Sequence, residues 1–80
     1  MTKKEKVLQK FIHSPESIKY SQLRNILLEL WFIQIEAKWS HTKFKNKKLG
    51  HDIIIPVHNN DCKGFYKKQI CKMLKNNSLI

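Results

Sequence analysis

The sequence predicts an α+β fold: a three-stranded antiparallel sheet with helices packed on one face, in the order α-α-β-β-β-α. Three observations carry that expectation. Leu23, Ile26, Leu27 and Leu30 recur at i, i+3, i+4 and i+7, the stripe of a helix buried along one side. From Phe32 to His58 the period drops to two, in three short runs. Helical spacing then returns, with Tyr66, Ile70, Met73 and Leu74 inward and Lys67, Lys68, Lys72 and Lys75 outward. Eighty residues form one domain, with a core near the lower limit for independent stability.

Taken in order, Thr2-Lys3-Lys4-Glu5 fits a capping box, a hydroxyl that starts a helix with a carboxylate three residues on. Val7, Leu8, Phe11 and Ile12 give this first helix a short apolar stripe, and Ser14-Pro15 ends it, because the residue before proline avoids helical angles. It reads as a brace added to the rest. Ser21 is the expected N-cap of the second helix, which should end near Leu30 or Trp31. Ile33, Ile35 and Ala37 alternate with Gln34, Glu36 and Lys38, the pattern of a half-buried strand with the isoleucines inward. Lys38-Trp39 is the expected turn into a second strand, Ser40–Lys45. A lysine-rich linker follows, in which Gly50 can supply positive φ, and then a third strand, Asp52–Val57. Pro56 cannot donate to a ladder and marks that strand's end or edge. His58-Asn59-Asn60-Asp61 carries turn-forming side chains. A last helix starts at Gly64 or Phe65, and Asn76-Asn77-Ser78 reads as a frayed tail.

Sixteen Lys and Arg against six Asp and Glu leave a net charge of +10. Such a surface suits nucleic acid or an acidic protein. Arg24 is the single arginine, and bidentate reading of guanine commonly uses arginine, so sequence-specific DNA readout is disfavoured. Lysine-rich surfaces hold phosphates without reading bases. No apolar run approaches the roughly 20 residues of a membrane span, and the N-terminus lacks the apolar segment of a secretion signal. The expected location is the cytoplasm, with no membrane partner. Cys62 and Cys71 match no zinc spacing and read as two buried thiols. The histidines offer no HExxH pattern, and neither a metal nor a cofactor is expected.

One stretch suggests chemistry. In Lys38–His58, alternation puts Phe44, Ile53, Ile55 and Val57 on one side of a hairpin. His41, Lys43 and Lys45 of the second strand and Asp52, Ile54, Pro56 and His58 of the third run fall on the other, wet side. If Lys45 pairs with Asp52, His41 lies opposite Pro56 and His58 becomes its diagonal neighbour. An imidazole on a strand, ringed by ammonium groups, reads as the working surface of a small RNA-directed protein. His13 and His51 belong to no such group and read as surface residues.

The pieces Leu30-Trp31-Phe32, Lys38-Trp39-Ser40-His41 and Ile55-Pro56-Val57-His58 resemble the motifs of the HicA-type (YcfA-like) mRNA interferase toxins. The family pattern is Leu-Gly-Phe at a helix end, Lys-Gly-Ser-His before the second strand and Ile-Pro-Val-His closing the third. The resemblance covers roughly Tyr20–Asn76 and leaves residues 1–19 as an N-terminal helical extension. It implies a fold like the double-stranded RNA-binding domain and metal-independent endoribonuclease activity on mRNA. It also implies the toxin role in a type II toxin-antitoxin pair, with a HicB-type antitoxin as protein partner. Both motif glycines are tryptophan here, Trp31 and Trp39. The first is expected to fill the helix-to-strand corner. The second either blocks substrate beside the catalytic position or offers a base a stacking surface.

The resemblance assigns the catalytic role to His41, as general base on a ribose 2′-hydroxyl; spacing alone reads it as a solvated strand histidine. Imidazole suits the role because its reference pKa is about 6.5. His58 is either the general acid or a turn residue bonded to loop backbone. Lys38, Lys43 and Lys45 are candidates for binding RNA phosphate and stabilising transition-state charge. Lys47 and Lys48 are loop charges that steer RNA. Two rival readings use the same residues: a non-catalytic RNA-binding module, and a basic subunit whose partner is an acidic protein.

Overall fold

The elements are α1 (Lys3–His13), a 3₁₀ turn (Pro15–Ser17), α2 (Tyr20–Glu29), β1 (Ile33–Glu36), β2 (His41–Lys45), β3 (Ile53–Pro56) and α3 (Gly64–Asn76). They come from a computed structural model that describes residues 2–36, 41–50 and 52–80. The expected Lys38-Trp39 turn and His51 lie outside the described residues. Among the described residues the architecture is the expected one, α+β with three α-helices and a three-stranded antiparallel sheet in the order β1-β2-β3.

Four of the helix ends have a local cause in hydrogen bonding. Thr2 Oγ1 accepts the Glu5 N–H at 3.2 Å and starts α1. The N-cap of α2 is Lys19, not Ser21. Two side chains fix that earlier start: Gln22 Oε1 accepts the Lys19 N–H at 3.0 Å, and Asp61 Oδ1 accepts the Tyr20 N–H at 3.1 Å. At the other end of α2 the Phe32 N–H reaches Leu27 O at 3.0 Å and the Trp31 N–H reaches Leu28 O at 3.2 Å. This is a Schellman cap, which requires a left-handed residue, and Trp31 takes that conformation at φ 69°. The same device closes α3, where Leu79 N–H bonds Leu74 O at 2.9 Å and Ser78 N–H bonds Lys75 O at 3.1 Å. Asn77-Ser78 is therefore an ordered cap rather than a frayed tail, and Leu79 and Ile80 pack back on the core.

The core gathers Leu23 and Leu27 of α2, Phe44, Ile53 and Ile55 of the sheet, and Ile70 and Leu74 of α3. Phe11 and Ile18 of the N-terminal extension are fully buried in the same cluster. Burying a Phe or Ile side chain stabilises by about 1.5–3 kcal/mol, so this segment is part of the core and not only a brace. Gly64 lets α3 start against the 3₁₀ turn, because a Cβ there would stand 3.0 Å from Glu16 Cβ. Gly50 has no positive φ, so the expected need for glycine in that linker does not arise. The linker instead holds a turn, in which Leu49 N–H bonds Asn46 O and Asn46 Nδ2 donates to Leu30 O, both at 3.0 Å.

Three burial expectations are corrected. Ile33 and Ile35 point outward, 62% and 39% exposed. The cap at Leu30-Trp31 turns Phe32 into the core, so alternation from Phe32 sends residues 33 and 35 to the open face. Trp31 does not fill the corner, being 88% exposed. Lys67 is 4% exposed and not outward. It shares the 67, 70, 71, 74 face of α3, and its ammonium donates to Ile18 O at 2.6 Å and meets Asp61 Oδ1 at 3.0 Å.

Candidate active site

The site is built on the side of the sheet away from the helices. Strand β2 is central, pairing with β1 as Ile33↔Lys45 and Ile35↔Lys43, and with β3 as His41↔Pro56 and Lys43↔Ile54. The second register is the one that pairing Lys45 with Asp52 requires. Phe44, Ile53 and Ile55 turn inward and leave His41, Lys43, Lys45 and Ile54 on the open face. His41 is exposed, the first residue of β2. Its side chain is thus carried by a rigid central strand and is open to solvent, the placement a general base on a large substrate needs.

Lys43 and Lys45 follow at two-residue steps on the same face. Asp52 Oδ2 lies 3.8 Å from Lys43 Nζ and 4.0 Å from Lys45 Nζ. One carboxylate therefore serves two ammonium groups at the long limit of ion pairing and leaves a local excess of positive charge. Such solvated pairs stabilise by at most about 1 kcal/mol, so a phosphate can compete for either lysine. Sequence reasoning placed Asp52 on this face but gave it no part in the electrostatics.

The remaining candidates are scattered. Lys47 and Lys48 are exposed on the turn after β2, where Asn46 Oδ1 accepts the Lys48 N–H at 2.9 Å. His58 is exposed and lies beyond β3, outside the ladder. Its backbone makes both bonds of a tight pair with Asp61, 2.7 and 3.0 Å, around Asn59 and Asn60 at φ 53° and 63°. Both central residues have positive φ, the mark of a type I′ turn. Strand alternation therefore does not hold the His58 side chain to the face of His41. Lys38 and Trp39 lie outside the described residues.

What sequence reasoning missed is that Ile33 and Ile35 of β1 join Ile54 on this face. Ile33, Ile35 and Ile54 (54% exposed) flank Lys43 and Lys45 across the three strands. The signal was present: Phe32 and Ile33 cannot both point inward on one strand.

The Asp61 carboxylate has a structural task near this site. It accepts from Tyr20 N–H at 3.1 Å, Cys62 N–H at 2.9 Å and Lys67. The Lys67 hydrogen bond, then the backbone bonds, hold its pKa below the ordinary carboxylate value. Cys71 is buried and Cys62 half-buried, and burial pushes both thiols up, away from nucleophilic character. No group of three or more His, Cys, Asp or Glu side chains that could hold a metal occurs among the described residues. Among those residues no helix is long and apolar enough to cross a membrane. Against known proteins, the chain matches no family model, no curated protein and no solved structure.

Proposed function

We propose that this chain is a metal-independent endoribonuclease of the HicA toxin type, acting on mRNA from the open sheet face. The observation that carries the reading is the placement of His41: exposed, on the central strand, in register with Pro56 and in line with Lys43 and Lys45. The His41 imidazole takes the proton of a ribose 2′-hydroxyl. The 2′-oxygen attacks the adjacent phosphorus, and the bond to the 5′-oxygen breaks. The leaving oxygen takes a proton from water or from His58, leaving a 2′,3′-cyclic phosphate and a 5′-hydroxyl end. Lys43 and Lys45 stabilise the charge that builds on the phosphoryl oxygens.

The three isoleucines support a protein partner for the same face. Exposed apolar side chains beside lysines suit a cover with an apolar centre and an acidic rim, as a HicB-type antitoxin would supply. Bound there, the partner would exclude RNA from His41. A cytoplasmic setting follows from an mRNA substrate.

The test is cleavage of end-labelled RNA by purified protein in EDTA. His41→Ala should lower the rate by about 10²–10⁴-fold, the usual worth of a general base, with the circular-dichroism spectrum unchanged. DNA of the same sequence should stay intact. Equal cleavage by wild type and His41→Ala removes the reading. Salt-sensitive RNA binding without cleavage replaces it with a non-catalytic RNA-binding module.

A further inference from the structure

Lysines on the opposite side of the molecule have a different arrangement. Lys68, Lys72 and Lys75 stand at i, i+4 and i+7 on one side of α3, and α3 contains four lysines and no carboxylate. That side faces the N-terminal extension. Between them lies a cleft of about 440 Å³, whose lining includes His13 and Glu16 from the extension and the three lysines from α3. Cys71 lies at its base, with Sγ 3.6 Å from Phe11 O. Lys75 Nζ donates to Ile12 O at 3.1 Å, tying one wall to the other.

The charge of this cleft is less compensated than that of the open sheet face. Lys43 and Lys45 share Asp52. Lys68 and Lys72 make no ion pair among the described residues, and Glu16 is the single carboxylate in the lining. Three ammonium groups against one carboxylate leave an excess of two positive charges. Concave walls concentrate such a field and draw in anions. Lys68 and Lys72 are about 6 Å apart along the helix axis, so they can meet successive groups of an extended polyanion.

We propose that this cleft is a second phosphate-binding surface, which holds the sugar-phosphate backbone of an RNA outside the segment presented to His41. The proposal rests on the RNA reading above and extends it. The cleft lies on the helical side of the sheet and His41 on the open side, so a short RNA reaches one and a long RNA reaches both. Long substrates then gain affinity by linkage, with no new contact at the scissile bond.

The experiment measures fluorescence anisotropy of labelled single-stranded RNAs of about six and about forty nucleotides, bracketing the footprint of a small module. The protein is the full chain carrying His41→Ala, with and without Lys68→Glu/Lys72→Glu. Charge reversal should weaken binding of the long RNA about 10-fold. It should also reduce the slope of log affinity against log salt by roughly 1.4, two contacts at about 0.7 each. The short RNA should bind unchanged. Lys68→Gln/Lys72→Gln should act in the same direction with a smaller loss, and circular dichroism checks that both variants fold. Unchanged long-RNA binding, or equal losses for the two lengths, overturns the proposal. So does an acidic polypeptide that loses binding on charge reversal while RNA does not. If wild type cleaves neither RNA but the length-dependent loss appears, the ribonuclease reading fails and the second surface stands. If wild type cleaves and the loss is absent, the surface fails and the nuclease stands.

Discussion

The two faces of the sheet are made from the same kind of side chain and put it to opposite uses. The covered face carries Phe44, Ile53 and Ile55, none more than 7% exposed, closed over by α2 and α3. The open face carries Ile33, Ile35 and Ile54, each at least 39% exposed, interleaved with Lys43 and Lys45. Isoleucine content does not separate them, whereas charge does. An apolar face becomes core only where a helix can cover it without burying ammonium groups, and burying an unpaired charge costs several kcal/mol. The lysines therefore keep the open face from being closed by the chain's own helices.

The largest effect that tests this contrast is on stability. Phe44→Ala should destabilise by about 3–5 kcal/mol and Phe44→Leu by about 1–1.5 kcal/mol, since Phe44 is fully buried. Ile54→Ala, one strand away on the open face, should stay within about 0.5 kcal/mol. Urea unfolding midpoints give all three. A cost for Ile54→Ala comparable to that of Phe44→Leu would mean that the open face is structural, and the contrast between faces would break.

A smaller effect sharpens the same rule from the side of a buried ammonium. Lys67 is tolerated inside because Asp61 and Ile18 O satisfy it. Asp61→Asn preserves acceptors for the Tyr20 and Cys62 N–H groups and removes the counter-charge. It should cost about 2 kcal/mol near neutral pH, below the 3–5 kcal/mol of a fully buried pair because Asp61 is half exposed. The pH dependence has a fixed sign. The folded-state pKa of Asp61 is lowered below its ordinary 3.8. Its stabilisation is therefore fully present above that value and is lost as pH falls through the folded pKa. The gap between wild type and Asp61→Asn should close in acid, and a gap that widens there would contradict the pairing. Lys67→Met, which removes the charge and preserves the stem, should cost less than Asp61→Asn.

The sequence revealed the order of elements because that rests on period and local turn chemistry, and the β2–β3 register it supposed, Lys45 opposite Asp52, is the one the structure has. Alternation through His41–Lys45 and Ile53–Pro56 was long enough, with Phe44 and Ile55 as anchors, to fix which side was wet. It failed in β1, where hydrophobicity favoured Ile33 and Ile35 inward and the neighbouring cap overruled it. It failed at Lys67 because lysine is so rarely buried that identity outweighed its place on the 67, 70, 71, 74 face. His41 was legible as an exposed strand residue on the face of Ile54, but its grouping with Ile33 and Ile35 was not, since that depends on β1's phase. The cleft between the extension and α3 was invisible, because no pattern within either segment says how the two pack.

The smallest expected effect concerns the corner that sets that phase. Trp31 holds φ at 69°, a conformation that costs an L-residue about 1 kcal/mol and glycine almost nothing. Its indole is 88% exposed, so little packing is lost when it is removed. Trp31→Gly should therefore stabilise by somewhat under about 1 kcal/mol after the greater freedom of glycine in the unfolded chain is subtracted. That is a rise of roughly 4 °C in thermal midpoint for a domain of this size. Trp31→Ala, still strained, should show no such gain. Trp31→Pro loses the N–H that bonds Leu28 O and fixes φ near −65°, so it should undo the cap and with it the outward setting of Ile33 and Ile35. If Trp31→Gly lowers the midpoint, the indole makes contacts its exposure denies. Backbone conformation would then not be what turns the isoleucines to the open face.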